Sequence, residues 1–171
     1  MRIPTLLALS CAALTACAPA GPDGAAADTA VDIPSETAAV DSVLSALHRL
    51  ASEGDFDTYF GLFTPDAVFM GTDATERWSV DEFRGYAAAS SGWTYHMTER
   101  HVFLDGDGNT AWFDERLDNA SYGETRGTGV LVKTGEGWKI AQYNLTIPIP
   151  NDLAREFVDR IRAHLSGTPG A

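Results

Sequence analysis

The chain has 171 residues, enough for one domain with a proper core and too few for two comfortable ones. Its hydrophobic (44%) and charged (21%) fractions are ordinary for a globular protein, but its net charge of −12 argues against nucleic acid or anionic lipid as a direct partner, since both need a positive patch. Both cysteines, Cys11 and Cys17, lie ahead of the folded region, which excludes a disulfide, a cysteine metal site and a cysteine nucleophile from the domain.

Met1-Arg2 gives a short positive start, Ile3 to Ala13 a short apolar run, and Leu14-Thr15-Ala16-Cys17 follows. The run is too short to span a bilayer as a permanent helix and fits a secretory signal over residues 1–17. Leu-Thr-Ala-Cys resembles the lipobox of bacterial lipoproteins, in which the cysteine is lipidated and becomes the new N-terminus. The alternative is an ordinary signal peptide cut at a nearby small-residue site. Ala18 after the cysteine, by resemblance to Gram-negative lipoproteins, implies an outer-membrane anchor facing the periplasm; secretion into the periplasm is the alternative address. Loss of the first sixteen residues removes Arg2 and no acid, leaving a charge of −13. Residues 18–35 are Ala, Pro, Gly and Asp with almost no large apolar side chain, so they read as a flexible linker.

The domain is expected over residues 36–166, with a frayed tail at 167–171. Ser35 is a plausible N-cap. Val40, Val43, Leu44, Leu47 and Leu50 recur at helical spacing before Gly54 ends the helix. Asp55 can cap a second short helix carrying Phe56, Tyr59, Phe60 and Phe63, which Thr64-Pro65-Asp66 breaks. A strand at Ala67 to Met70 and a hairpin partner at Glu76 to Trp78 come next. Ser79-Val-Asp-Glu82 is a capping box opening a third helix to about Ser90. An extended run from Trp93 to Leu104 turns at Asp105-Gly-Asp-Gly-Asn109 into three further strands, Thr110 to Asp118, Thr125 to Lys133 and Trp138 to Ile147. β-Branched and aromatic residues fill these strands and short Gly, Asn and Ser turns separate them, the pattern of an antiparallel meander. Asn151 is expected to cap a last helix with Leu153, Phe157, Ile161 and Leu165 on one side. The segregated order of elements predicts an α+β fold, a strongly curved, mostly antiparallel sheet wrapped over N-terminal helices.

Leu62-Phe-Thr-Pro-Asp-Ala-Val-Phe69, together with Arg126-Gly-Thr-Gly-Val-Leu131 and Gly137-Trp-Lys-Ile140, resembles a SnoaL-like member of the nuclear transport factor 2 (NTF2-like) superfamily over roughly Thr37 to Leu165. The resemblance implies a cone-shaped sheet around a pocket. It does not fix an activity, because the fold hosts isomerases, dehydratases, cyclases and non-catalytic binders.

Side chains two apart on a strand share a face. The apolar set Ala111, Phe113, Glu115 and Leu117 places Glu115 inside. Val130 and Val132 with Lys133 outward place Arg126 and Thr128 inside, and a wet Lys139 places Gln142 and Asn144 inside. These groups would converge as a polar cluster in an apolar cone. On the functional reading, Glu115 is a general base or acid, Arg126 its orienting partner or an anion anchor, and Gln142, Asn144 and Thr128 ligand contacts. On the structural reading, Glu115 and Arg126 are a buried, mutually satisfied ion pair that fixes strand register. Tyr59, Trp93 and Phe113 are aromatic candidates for the cavity wall, or plain core. Many SnoaL-like proteins carry a histidine on the last strand; here the candidates are amides, which cannot shuttle protons. Glu99 and His101 can share a face, whereas His48 and His164 suggest no site. The Asp105 turn lacks the glycine and closing glutamate of a calcium loop, and no serine-nucleophile, Walker or dinucleotide motif occurs, so neither metal nor cofactor is implied.

Three functions follow as expectations. One is a lipid-anchored envelope protein binding a small, largely apolar ligand. Another is a proton-transfer enzyme, an isomerase or dehydratase, with Glu115 as acid or base. The last is a homodimeric interaction module pairing through the outer sheet face (Trp112, Tyr143, Leu145, Ile147), as superfamily members commonly do.

Overall fold

The computed structural model describes residues 31–167. The expected signal segment, Cys17, most of the linker and residues 168–171 lie outside them. Ten elements follow in order: α1 (Ile33–Glu53), α2 (Phe56–Phe60), β1 (Phe63–Met70), β2 (Arg77–Ser79), α3 (Val80–Ala87), β3 (His96–Leu104), β4 (Thr110–Asn119), β5 (Gly123–Thr134), β6 (Gly137–Thr146) and α4 (Ala154–Leu165). They build an α+β fold on one curled six-stranded sheet, ordered β2-β1-β6-β5-β4-β3, in which β1 and β6 run parallel and every other pair antiparallel.

Local chemistry accounts for the boundaries. Asp32, not Ser35, caps α1: its carboxylate accepts the Ser35 amide at 3.4 Å, and Pro34 occupies the first turn, where a missing N–H costs nothing. Gly54 closes α1 at φ 71°, the left-handed conformation glycine reaches most readily. Asp55 caps α2 and the Ser79–Glu82 capping box opens α3, both as expected. The expected break at Thr64-Pro65-Asp66 is instead the start of β1, where the β1–β6 register shifts between Phe63 and Val68; Pro65 in that interval has no N–H to give the ladder. The last helix starts three residues after Asn151, and its Leu153, Phe157, Ile161 and Leu165 are all exposed.

The core lies between α1 and the inner sheet face. Val40, Leu44, Leu47, Leu50 and Ala51 of α1 pack toward Phe113 and Leu117 of β4, Leu131 of β5 and Ile140 of β6. Trp138 shows why a Gly-Trp-Lys-Ile opening suits β6. Its ring is buried while its indole N–H donates to Glu36 of α1 at 2.8 Å, tying the first helical turn to the sheet.

Inward parity holds on β4, where Ala111, Phe113, Glu115 and Leu117 are buried. It fails on β5 and β6. Ala141 is an extra residue between the pairs Leu131↔Ile140 and Val130↔Gln142, so the inward set on β6 is Trp138 and Ile140, then Tyr143 and Leu145. On β5 the inward set is Thr125, Gly127, Gly129 and Leu131. Glycines face the core there because nothing larger fits. A Cβ on Gly127 would overlap the Tyr143 hydroxyl and stand 2.7 Å from Glu115 Oε1. Arg126, Thr128, Gln142 and Asn144 therefore lie on the outer face.

Gly127→Ala is expected to destabilise the fold by about 2 kcal/mol through overpacking. Gly135→Ala, with no atom within 4 Å of the new methyl, should change stability little. Urea midpoints of the two variants measure the difference.

Candidate functional site

The site is assembled from three strands and one helix around Glu115, whose side chain is completely buried. Arg100 of β3 is its direct cross-strand partner and donates from Nε to Glu115 Oε2 at 2.8 Å, with Nη2 2.7 Å from the same oxygen. The other oxygen, Oε1, accepts the Tyr143 hydroxyl at 2.8 Å and lies 2.8 Å from His48 Nε2. Arg100, itself only 2% exposed, turns its Nη1 to the Asp41 carboxylate at 2.8 Å, the Asp41 carbonyl at 3.2 Å and the Ser45 hydroxyl at 3.1 Å. Asp41, Ser45 and His48 occupy one flank of α1 at spacings of four and three, a polar stripe bordering the apolar one.

Electrostatics follow from the geometry. Burial by itself raises the pKa of Glu115, but the hydrogen bond and charge of His48, then those of Arg100, outweigh it and hold the carboxyl below the ordinary glutamate value of 4.5. The ionised carboxylate is an acceptor only, so both Tyr143 and His48 Nε2 donate to it. Nδ1 of His48 is then the ring nitrogen that this contact leaves unengaged. Tyr143 is pushed well above the usual phenol range by burial and then by the neighbouring Glu115 charge, and stays a neutral donor.

Two hollows lie beside this cluster. The larger, about 280 Å³, is lined by Phe69, Trp78, Phe83, Tyr86, Trp93, Tyr95, Tyr122 and Leu145, with Glu76, Asn119 and several small polar groups. The smaller, about 20 Å³, is lined by Leu47, His48, Ala51, Tyr59 and Tyr143 and shares Phe69, Trp93, Tyr95 and Leu145 with the larger. Shared walls place the two side by side as one aromatic funnel, with His48 and Tyr143 lining its smaller part. Phe69 holds the wall together, stacked on Phe83 at 3.8 Å and parallel to Tyr143 within 2°. Glu115 lines neither hollow and reaches the funnel only through His48 and Tyr143.

The expected cluster is therefore redistributed. Glu115 points inward, but its guanidinium partner is Arg100, and Arg126 is exposed on the opposite face. Gln142 is exposed, while Asn144 and Thr128, paired across β5 and β6, are half-buried on that outer face. Trp93 lines both hollows and Tyr59 the inner one; Phe113 is core, packed 5.8 Å from Tyr143. His48, Arg100 and Tyr143 are the residues sequence reasoning missed. The usable signal for His48 was its place at the edge of the Val40, Leu44 and Leu47 stripe, which leaves it mostly covered. Glu99 and His101 do share a face, 3.5 Å apart, but in an exposed network with Asp114 and Arg116; the Asp114 hydrogen bond and charge raise the His101 pKa. Tyr143 (4% exposed) and Leu145 (9%) are core, so of the expected outer apolar row Trp112 and Ile147 remain, with Phe103 stacked on Trp112 at 5.9 Å.

A family model for the SnoaL-like domain matches residues 40–150. Solved structures share the fold, and their NTF2-like labels agree with the curled sheet over helices. A proposed dehydratase of the NTF2-like family from Streptomyces avermitilis superposes with a TM-score of 0.59 at 16% identity, covering 69% of this chain and 99% of its own. A proposed scytalone dehydratase from Novosphingobium aromaticivorans gives 0.57 at 11% identity, covering 68% and 87%. A Pectobacterium atrosepticum protein of unknown function gives 0.59 at 18% identity, covering 67% and 92%. At these identities the likeness is one of fold. No curated protein matches the chain.

Glu115→Gln removes the charge that holds Arg100 and His48, and breaking one side of a buried pair costs about 3 kcal/mol. Because the folded pKa is depressed, that stabilisation is complete above the ordinary value of 4.5 and is lost as pH falls through the lowered one. Denaturation of wild type and variant across pH 3–7 should show a gap that is full near neutrality and narrows in acid (roughly the range over which carboxylates titrate).

Proposed function

The chain belongs to the family of SnoaL-like domains, and we propose that this member binds a small, largely apolar molecule in the aromatic funnel, with His48 and Tyr143 as the polar groups in its smaller part. The observation that carries this reading is the funnel itself. It joins a cavity of about 280 Å³, half of whose lining residues are aromatic, to a hollow of about 20 Å³ lined by His48 and Tyr143. Concave, mostly apolar sites with a few placed polar groups are how proteins hold small ligands.

A second reading is favoured by one further contact. Glu115 holds His48 through Nε2 and leaves Nδ1 for a bound molecule, the arrangement that positions an imidazole as general acid or base. On this reading the domain performs a proton-transfer reaction, an isomerisation or dehydration. His48 exchanges the proton, Glu115 is the positioning residue and Tyr143 steadies the carboxylate. Dehydratase is also the activity proposed for two of the structural neighbours, which supports the reaction class.

The address remains part of the proposal. Leu14-Thr15-Ala16-Cys17 supports a lipid anchor at Cys17 that holds the domain at the envelope. Self-association through the outer sheet face is supported by the exposed Phe103–Trp112 stack.

Titration with 2-naphthol is expected to quench intrinsic tryptophan fluorescence saturably and to shift the NMR ring signals of His48 but not of His101 or His164. Trp93→Ala should weaken binding about tenfold, the loss of a stacked aromatic contact. Unsaturable quenching would remove the binding reading, and an unmoved His48 the enzymatic one. In cells with a lipoprotein pathway, labelled palmitate should enter the wild-type chain and not Cys17→Ala; equal labelling of both would remove the anchor.

A further inference from the structure

The funnel has a charge asymmetry that its apolar walls do not explain. Among the residues lining its larger hollow, Glu76 is the one that carries a formal charge, and no lysine, arginine or histidine joins it. Glu76 is half-buried and forms no ion pair among the described residues; its Oε2 accepts only the Asp73 amide, at 3.2 Å. Seven aromatic residues share the lining with it, and burial, then the nearby Tyr122 and Tyr86, push the Tyr95 phenol up to about 12.

These facts discriminate among ligands. A neutral apolar molecule would strip water from the Glu76 carboxylate and give nothing in return, which is costly for a charged group. An anion would meet that carboxylate, the phenol oxygens and a chain of net charge −12. A cation would meet a carboxylate with no cationic partner among the described residues, and aromatic rings whose faces carry negative potential. We infer that the ligand of this funnel is an organic monocation with apolar substituents, an alkyl- or arylammonium. Its charged head sits between Glu76 and the ring of Trp78, Tyr86, Trp93, Tyr95 and Tyr122. The inference rests on the funnel being a ligand site and adds the class of ligand.

The test uses the full chain and two probes of the same shape, phenyltrimethylammonium and tert-butylbenzene, followed by quenching of tryptophan fluorescence at low salt. The cation should bind about tenfold tighter than its neutral isostere, as expected for a carboxylate and several ring faces acting together. Glu76→Gln should erase most of that preference, weakening the cation and tightening tert-butylbenzene as the desolvation cost is removed. Ser121→Lys, which adds a positive charge at an exposed lining position, should weaken the cation without touching Glu76. Added salt should weaken the cation alone. Equal affinity for both probes, or a Glu76→Gln variant that keeps the preference, would overturn the inference while leaving the apolar-ligand reading intact. Failure of both these probes and 2-naphthol to bind would remove the two together.

Discussion

A carboxylate on the covered face of a sheet has to be answered by its neighbours, because stripping water from an unpaired charge costs more than most single interactions return. Glu115 is answered from three directions: Arg100 beside it on β3, Tyr143 from β6 and His48 from α1. That one constraint fixes much else. It locks α1 to the sheet, since Arg100 also reaches Asp41 and Ser45. Gly127 has no side chain because its Cβ would occupy the space where Glu115 and the Tyr143 hydroxyl meet. It also engages one nitrogen of an imidazole that lines the smaller hollow.

The cluster has two sides. Arg100 and Asp41 line neither hollow, whereas His48 and Tyr143 line the smaller one. The aromatic wall above them is continuous with the core through Phe69 and Phe83, so the pocket is carried on rigid packing. Rigid walls and few polar contacts suit a ligand recognised by shape and charge.

The overall architecture was readable in the sequence because its signals are local. Capping residues, turn glycines and runs of β-branched residues set the boundaries of α2, α3 and the meander strands. The inward set on β4 followed from simple alternation. The cluster around Glu115 was harder, since its members come from α1, β3, β4 and β6 and meet only after the sheet curls. Alternation also misled on β5 and β6. There Ala141 inserts one extra residue and the inward positions of β5 are glycines, so hydrophobicity pointed to the wrong face and sent Arg126, Gln142 and Asn144 inside. His48 does lie at the edge of the leucine stripe, but nothing local to the helix shows that this edge meets Glu115 of β4.

The central claim is that Glu115 fixes the proton of His48 on Nε2 and leaves Nδ1 unengaged. Nitrogen-15 NMR of the histidine rings, taken in alkaline buffer, reads that choice directly. The account predicts the Nε2–H form for His48, with a hydrogen-bonded proton that exchanges slowly with water. An Nδ1–H form, or an Nε2 proton exchanging as fast as that of an exposed histidine, would contradict it.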